Sequence, residues 1–220
     1  TKTIKKGVLF VWVFSFGYHL FGLQWISNAL LIDSEQFAWL LPFSLIGIPA
    51  LLAIIPSLIM PILCKILIPP FWFPILAATL WTLSEYLRGH LFGGFPWNLP
   101  AYMLSFSDSI VQTASIVGAY GLSWLLILFT AGPTLLFTKE FWHLPYYRVF
   151  LTSLVLAPFA LWFYGTNRLN KNPTELNSNY IIRLVQGNVP QKEKWYPEFR
   201  LRNIEKYMAL SKIEDAQDSQ

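Results

Sequence analysis

A helical bundle of about five transmembrane helices, followed by the first strand and helix of an α/β domain, is what the sequence predicts. Three observations carry that prediction. Hydrophobic residues make up 55% of the chain and charged residues only 13%, where a soluble domain carries about 25% charged residues. Mean hydropathy is +0.45. Charge is also split: residues 7–165 hold nine charged side chains, whereas the 55 positions of 166–220 hold sixteen. This is the profile of a membrane domain over 1–166, a polar linker over 167–179, and the incomplete start of a water-facing domain over 180–220.

Five apolar runs approach the roughly 20 residues needed to cross a bilayer: 7–32, 37–63, 70–90, 109–138 and 147–166. The second contains Pro42, Pro49, Pro56 and Pro61 and is expected to be a kinked or broken helix, because each proline removes a backbone donor. Pro69-Pro70, Asn98-Leu99-Pro100 and the segment 139–148 mark turns between spans. With the N-terminus cytoplasmic, the inner loops carry six basic residues (Lys2, Lys5, Lys6, Lys65, Lys139 and Arg148). The outer loops carry one, Arg88. The positive-inside rule therefore favours that orientation, and five crossings deliver residue 167 to the far side. Trp25, Trp39, Trp72, Trp97, Trp142 and Trp162 fall near span ends, as an interfacial aromatic belt requires. No cleavable signal peptide is evident, since the first apolar run is too long. The chain opens on Thr1 rather than Met, so a natural start upstream is expected.

Beyond the spans, Asn167 to Asn179 reads as a polar linker. Tyr180 to Val185 is short and rich in β-branched residues, the pattern of a buried strand. Gln186 to Gln191 is a turn-rich segment, with Asn188 expected to fix the turn. Pro197 to Ile213 reads as a helix with proline at its start and Leu201, Ile204 and Met208 along one face. One strand and one helix cannot bury a core, so the sequence to Gln220 is expected to stop inside a domain.

The most informative stretch lies between Trp81 and Trp97. Glu85 and Arg88 sit in membrane-grade sequence, where an ionised side chain costs about 2.5–3.5 kcal/mol at mid-bilayer. They therefore pair, lie near an interface, or face a polar cavity. Two readings stay open: a helix-surface ion pair three residues apart, or an arginine that meets a phospholipid headgroup phosphate. The following Gly93-Gly94-Phe95-Pro96-Trp97 cannot continue a regular helix. It is either a plain terminator or a polar mouth whose aromatics touch lipid. Irregular backbone at membrane depth survives only where protein or water covers it.

Other chemistry is sparse. His19, His90 and His143 are dispersed and give no metal-ligand spacing. Gln24, polar within a span, is expected to hydrogen-bond another helix. Cys64, the single cysteine, lies in an apolar, proline-rich run near the inner face. A reactive thiolate needs an electropositive, partly wet setting, so Cys64 is expected to be structural. The basic residues form no stripe, which argues against nucleic acid as a partner.

Glu85-x-x-Arg88-Gly89 followed by Gly94-Phe95-Pro96-Trp97 and Tyr102 resembles the apolipoprotein N-acyltransferases of bacterial inner membranes. Leu184-Val185-Gln186-Gly187-Asn188-Val189-Pro190-Gln191, then Lys194-Trp195, is similar to the entry into that family's nitrilase-like domain. Phe21-Gly22-Leu23-Gln24-Trp25 is a weaker match to an early membrane helix. The resemblance covers most of the chain, with the blocks in the family's order.

What the resemblance implies is transfer of an acyl chain from a membrane phospholipid to the α-amino group of a diacylglyceryl-modified lipoprotein cysteine. It proceeds through a thioester on a catalytic cysteine, with a glutamate as general base and a lysine at the oxyanion. All three lie downstream of the Gln-Gly-Asn block and beyond Gln220. No catalytic residue is therefore expected within 1–220, and the chain alone is expected to be inactive. No cofactor or metal is implied. Arg88, Gly94, Phe95, Pro96, Trp97 and Trp195 are the implied substrate-facing residues, with Glu85, Gln186, Gly187 and Asn188 as their support. The implied location is the bacterial inner membrane, multi-pass, with the C-terminal segment periplasmic. Two rival classes stand beside this: a non-catalytic lipid-binding or anchoring module, and a small transporter. The transporter lacks the repeated halves such proteins show.

Overall fold

The computed structural model describes residues 2–66, 68–138, 142–173, 182–191, 193–194 and 196–213. The chain divides into two compact units, one of residues 1–25 and 42–173, the other of residues 26–41 and 174–220.

Up to Lys171 the described chain is almost wholly helical. Helix α1 (Lys2–Leu23) is followed by a tight 3-10 segment, Gln24–Leu31, and a short helix α2 (Ser34–Phe37). The proline-rich run is broken, as its prolines require. It passes through a π-helical turn at Phe43–Gly47, α3 (Ile48–Leu52), α4 (Ile54–Ile59) and a 3-10 turn at Met60–Cys64. Each proline deletes a donor and clashes with the preceding turn, so the axis resets every few residues. Next come α5 (Phe73–His90), α6 (Asp108–Val111), α7 (Ala114–Ala131) and α8 (Pro145–Lys171). Gly118, at φ 68° and ψ 179°, breaks α7 near its start.

Side-chain pairings within the first unit fix the direction of each helix. Gly7, low on α1, lies against Cys64 and Pro61, so the proline-rich run is antiparallel to α1. Phe14 and Tyr18 both meet Trp81 edge-to-face, at 5.5 and 5.7 Å, while Tyr18 also reaches Asn98 beyond the end of α5. Helices α1 and α5 therefore run the same way. The Trp124 indole donates to Thr79 Oγ1 at 3.0 Å and Tyr120 meets Tyr86, which sets α7 antiparallel to α5. Ser109 pairs with Thr166 at 3.0 Å and Ser115 with Tyr164 at 3.3 Å, while Gly132 abuts Leu154. Helix α8 thus returns antiparallel to α7, and its C-terminal end lies at the same end of the bundle as His90. The absence of a side chain at Gly165 lets α8 close on the Ser109 carbonyl.

Among the described residues four runs, not the expected five, are long and apolar enough to cross a membrane: Thr3–Leu31, Ser34–Cys64, Ala114–Phe137 and Pro145–Lys171. The expected third span forms as α5, but Thr79, Thr82, Ser84, Glu85, Arg88 and His90 take too large a share of its 18 residues. Its apolarity is low because it is an interior helix. Seven of its residues are buried, against two of the 27 in α8. The outer helices instead expose large apolar side chains such as Phe10, Phe21, Phe159 and Phe163, as a bilayer-facing surface does. Trp25, Trp39, Trp72, Trp97, Trp142 and Trp162 are all exposed. Helix α8 also runs on through residues 167–171, which the sequence reads as the start of the linker.

In the second unit α9 (Pro197–Ser211) forms where expected, with proline in its first turn. The strand expected at 180–185 is not formed among the described residues; Tyr180 and Ile181 lie outside them. Ile182 and Leu184 are 82% and 93% exposed. A strand needs a neighbour to pair its amides and carbonyls, and no other described residue adopts one. The segment is tied instead to α9, where Arg183 Nη1 donates to the Ser211 and Ile213 carbonyls at 3.0 and 2.7 Å. A cation over the free carbonyls of a helix C-terminus is a favourable placement. Residues 214–220, ending on Gln220, lie outside the described residues.

Candidate functional site: an aromatic mouth at the end of α5

The site begins with two buried ions. Glu85 and Arg88 are 1% and 3% exposed. They form an ion pair one turn apart on α5. Arg88 does more than neutralise its partner. Its Nη1 donates to the Phe95 carbonyl at 2.5 Å, and its guanidinium lies 5.8 Å from the centre of the Phe95 ring. The Arg88 carbonyl, left free as the helix ends, accepts from the Phe95 amide at 2.9 Å. One residue thus holds the following turn by backbone, side chain and ring face.

Two glycines make the turn possible. Gly93 and Gly94 sit at φ 89° and 78°, a region closed to most side chains. Gly94 is also packed: a Cβ there would run into the Gly89 carbonyl. Gly89 in turn leaves room for the Tyr120 hydroxyl of α7, and a Cβ on it would stand 3.6 Å from Pro96 Cβ. Glu85, Arg88, Gly89, Gly94, Phe95 and Pro96 therefore form one fitted unit over the end of the helix.

From this base Trp97 projects outward, about half exposed. Its ring stacks on Trp25 with centroids 5.0 Å apart and planes within 16°. Phe95 lies 6.2 Å behind it. Asn98, at φ 58°, offers its carbonyl to the Tyr18 hydroxyl at 2.5 Å. The Asn98 amide lies against Gly22, where a Cβ would collide with it. The Tyr102 hydroxyl donates to the Pro96 carbonyl at 3.5 Å. Gly22, Trp25, Trp97, Asn98 and Tyr102 enclose an open cavity of about 340 Å³. Two blocks about seventy positions apart, Phe21 to Trp25 and Gly94 to Asn98, meet at one mouth.

The structure thus brings together Glu85, Arg88, Gly94, Phe95, Pro96 and Trp97. Gln186, Gly187 and Asn188 form their own group in the second unit. A Cβ on Gly187 would strike the Tyr207 ring of α9, and Asn188 adopts φ 44°, a left-handed turn that asparagine tolerates. Gln186 and Asn188 line a cavity of about 780 Å³ with Lys194, Arg200 and Tyr207. Trp195 lies outside the described residues, as does Gln220, beyond which the resemblance puts the catalytic glutamate, lysine and cysteine. Cys64 is exposed beside Gly7. Helix rise separates Gly7 from Gly22 by roughly 22 Å, so the thiol stands at the opposite end of the bundle from the mouth. Sequence reasoning does not single out Tyr18 and Asn98 as site residues. Tyr18 lies four residues before Gly22 on one face of α1, a spacing that marks them as neighbours.

The mouth lies within the part of the chain that matches a family of known proteins. The model of the apolipoprotein N-acyltransferase N-terminal domain matches residues 1–132. The chain belongs to this family. It is 37% identical over 206 residues to the apolipoprotein N-acyltransferase of Rhodopseudomonas palustris, covering 91% of this chain and 37% of that protein. The protein of the same name from Rickettsia prowazekii is 34% identical over 204 residues, covering 92% and 40%. That from Bradyrhizobium diazoefficiens is 34% identical over 216 residues, covering 96% and 39%. The chain therefore spans about two fifths of the length of these relatives. No solved structure matches it.

Proposed function

We propose that this chain is the membrane portion of an N-acyltransferase that moves an acyl chain from a membrane phospholipid to the N-terminal, diacylglyceryl-modified cysteine of a lipoprotein. The observation that carries the proposal is the aromatic mouth. A buried ion pair, two left-handed glycines and a stacked tryptophan pair are assembled at the end of α5 within the matched region. Both substrates are lipids, so their reacting ends must be presented at a membrane surface. Tryptophans are suited to that depth, where an apolar ring and a polar N–H meet lipid and water together.

Each substrate-facing residue then has a definite task. Trp97 contacts acyl chain or glycerol backbone directly. Phe95, Pro96 and Gly94 shape the turn that presents it. Arg88 pairs with Glu85 and donates to the Phe95 carbonyl, so it serves the lipid by fixing the turn. Gln186, Gly187 and Asn188 set the turn that leads into the water-facing portion, and the family resemblance makes Trp195, after them in sequence, a substrate-facing residue. The thioester chemistry belongs to a glutamate, a lysine and a cysteine beyond Gln220, as in the family resemblance.

The location that fits is the bacterial inner membrane. The alternating directions of α1, the proline-rich run, α5, α7 and α8 support five traverses of one slab, with α5 shielded by its neighbours. Its 18 residues span roughly 27 Å. The excess of basic residues in the inner loops supports an N-terminus in the cytoplasm and a segment after Lys171 in the periplasm. The test is Trp97→Ala in the full-length protein. Transfer to a lipopeptide acceptor should fall well below what any loss of membrane-extracted, folded protein accounts for. A fall in proportion to abundance would make Trp97 purely structural.

A further inference from the structure

The end of the bundle opposite the mouth carries charge that the transfer reading does not use. Gly7 on α1 lies against the proline-rich run there, and a Cβ on it would stand 3.0 Å from the Cys64 Sγ. Lys6 precedes that contact on one segment and Lys65 follows it on the other; both are exposed, as is Lys5. None of the three meets a carboxylate among the described residues. The described carboxylates of the first unit, Glu85 and Asp108, lie at the mouth's end. Arg148 stands at the lysines' end, since Phe71, just before α5, meets Tyr146 and Phe150 at the start of α8. Each lysine also stands one turn outside an exposed apolar side chain. Residues four apart share a helix face, which sets Lys5 over Leu9 and Lys6 over Phe10, 62% and 74% exposed. The Lys65 amide donates to the carbonyl of Ile62, 44% exposed, at 2.9 Å. Trp72, half exposed before α5, sits at the same end, as an interfacial tryptophan does.

We propose that this end of the bundle is a docking surface for phospholipids of net negative headgroup, with Lys6 and Lys65 flanking one headgroup phosphate and Lys5 extending the patch. Cations that cap exposed apolar side chains are the complement of a lipid whose acyl chains end in negative charge. A zwitterionic headgroup brings its own ammonium towards the lysines, and like charges at that range repel. Each basic residue at a lipid surface raises affinity for anionic lipid about fivefold. A phosphate between Lys6 and Lys65 also ties α1 to the end of the proline-broken run, where few regular helical turns hold the backbone. The docked lipid is no substrate, because the mouth lies at the other end of the bundle, and the proposal stands apart from the transfer reading.

The single cysteine supplies the reporter. Cys64, exposed beside Lys65, takes a bimane fluorophore, and the chain is placed in phosphatidylcholine vesicles. Phosphatidylglycerol and phosphatidylethanolamine, each with a nitroxide high on one acyl chain, are compared as quenchers, and the ratio of their quenching cancels depth. At Cys64 the ratio should be severalfold above one. At Val155→Cys in a Cys64→Ser background, an exposed position on α8, it should be near one. Lys6→Gln with Lys65→Gln should bring the Cys64 ratio to the α8 value, and Lys6→Arg with Lys65→Arg should keep it. Lys171→Gln, at the mouth's end, should leave it unchanged. Phosphate and chloride at equal ionic strength should weaken the preference equally. Equal ratios at the two positions, insensitivity to the glutamine pair, loss in the arginine pair, or an equal fall with Lys171→Gln would each overturn the proposal. A loss specific to inorganic phosphate would overturn the lipid as occupant and make the patch a site for the free anion.

Discussion

Trp25 and Trp97 stack face to face, 5.0 Å between centroids and 16° between planes, although a whole helical excursion of the chain separates them. The contact joins the end of α1 to the turn after α5, and it forms the wall of the mouth on both sides. Stacked aromatic pairs contribute about 0.5–1.5 kcal/mol beyond their buried area. A double-mutant cycle of Trp25→Ala and Trp97→Ala, read by thermal unfolding in detergent, should show a coupling energy of that size. Zero coupling would mean the rings are neighbours without mutual stabilisation, and the mouth would have no fixed wall.

The buried pair behaves differently from the stack. Removing one member of a buried ion pair strands the other charge at a cost of about 3–5 kcal/mol, whereas replacing both with apolar residues can be neutral. Glu85→Leu should therefore lower the unfolding temperature strongly, and adding Arg88→Leu should recover much of the loss. The double variant should nevertheless fail in lipid transfer, because Phe95 loses the hydrogen bond and ring contact that Arg88 provides. Recovery of both stability and transfer would show that the pair only fills space.

The two glycines of the turn should separate in a graded way. Gly93→Ala meets backbone strain alone, about 1–3 kcal/mol for a non-glycine residue held at positive φ. Gly94→Ala meets the same strain and also the Gly89 carbonyl. Its unfolding temperature should fall further, and the turn should shift with it. Equal losses at both positions would mean that the turn relaxes freely and is not held by Arg88.

The membrane class, the broken proline-rich run, the Glu85–Arg88 pair and helix α9 were all legible in the sequence. Each rests on a local rule: hydropathy, a missing donor, a three-residue spacing, a proline at a helix start. What was not legible came from tertiary placement. The sequence reading takes 70–90 as an ordinary span because its first half is apolar, but α5 as a whole is less apolar than the other spans, and Ser84, Glu85 and Arg88 are tolerated in it because other helices cover them. The meeting of Gly22 with Asn98 and of Trp25 with Trp97 depends on α1 and α5 running the same way, which no local pattern encodes. The strand at 180–185 is apolar enough to be one, but pairing is a property of two segments, and composition reports on only one.

Topology offers a direct check on the interior helix. A reporter fused after Thr138 should lie in the cytoplasm and one fused after Lys171 in the periplasm, because α8 runs between them and α5 counts as a crossing. If α5 stays on one side, the fusion after Lys171 reports the same side as the N-terminus. A protease-protection or thiol-labelling assay in intact cells distinguishes the two.

Helix α9 sets the last expectation. None of its residues is buried, and Leu201, Ile204 and Met208 are 68%, 47% and 55% exposed. Ordering each residue costs about 1–2 kcal/mol, and burial returns only about 25 cal/mol per Å² of apolar surface removed from water. A helix that leaves its apolar stripe in water gains little of that return. Its ends are stabilised by Pro197 at the start, Glu198 in the first turn and Arg183 at the last carbonyls, each a contribution of a fraction of a kcal/mol. Amide hydrogen exchange on the 220-residue chain in detergent should therefore show fast exchange across 197–211 and strong protection in α5, where seven residues are buried. In the full-length protein the same amides should become protected as a water-facing domain covers Leu201 and Met208. Protection of α9 at the level of α5 in the 220-residue chain would mean that this helix is stable without such cover, and the unpaired stripe would need another explanation.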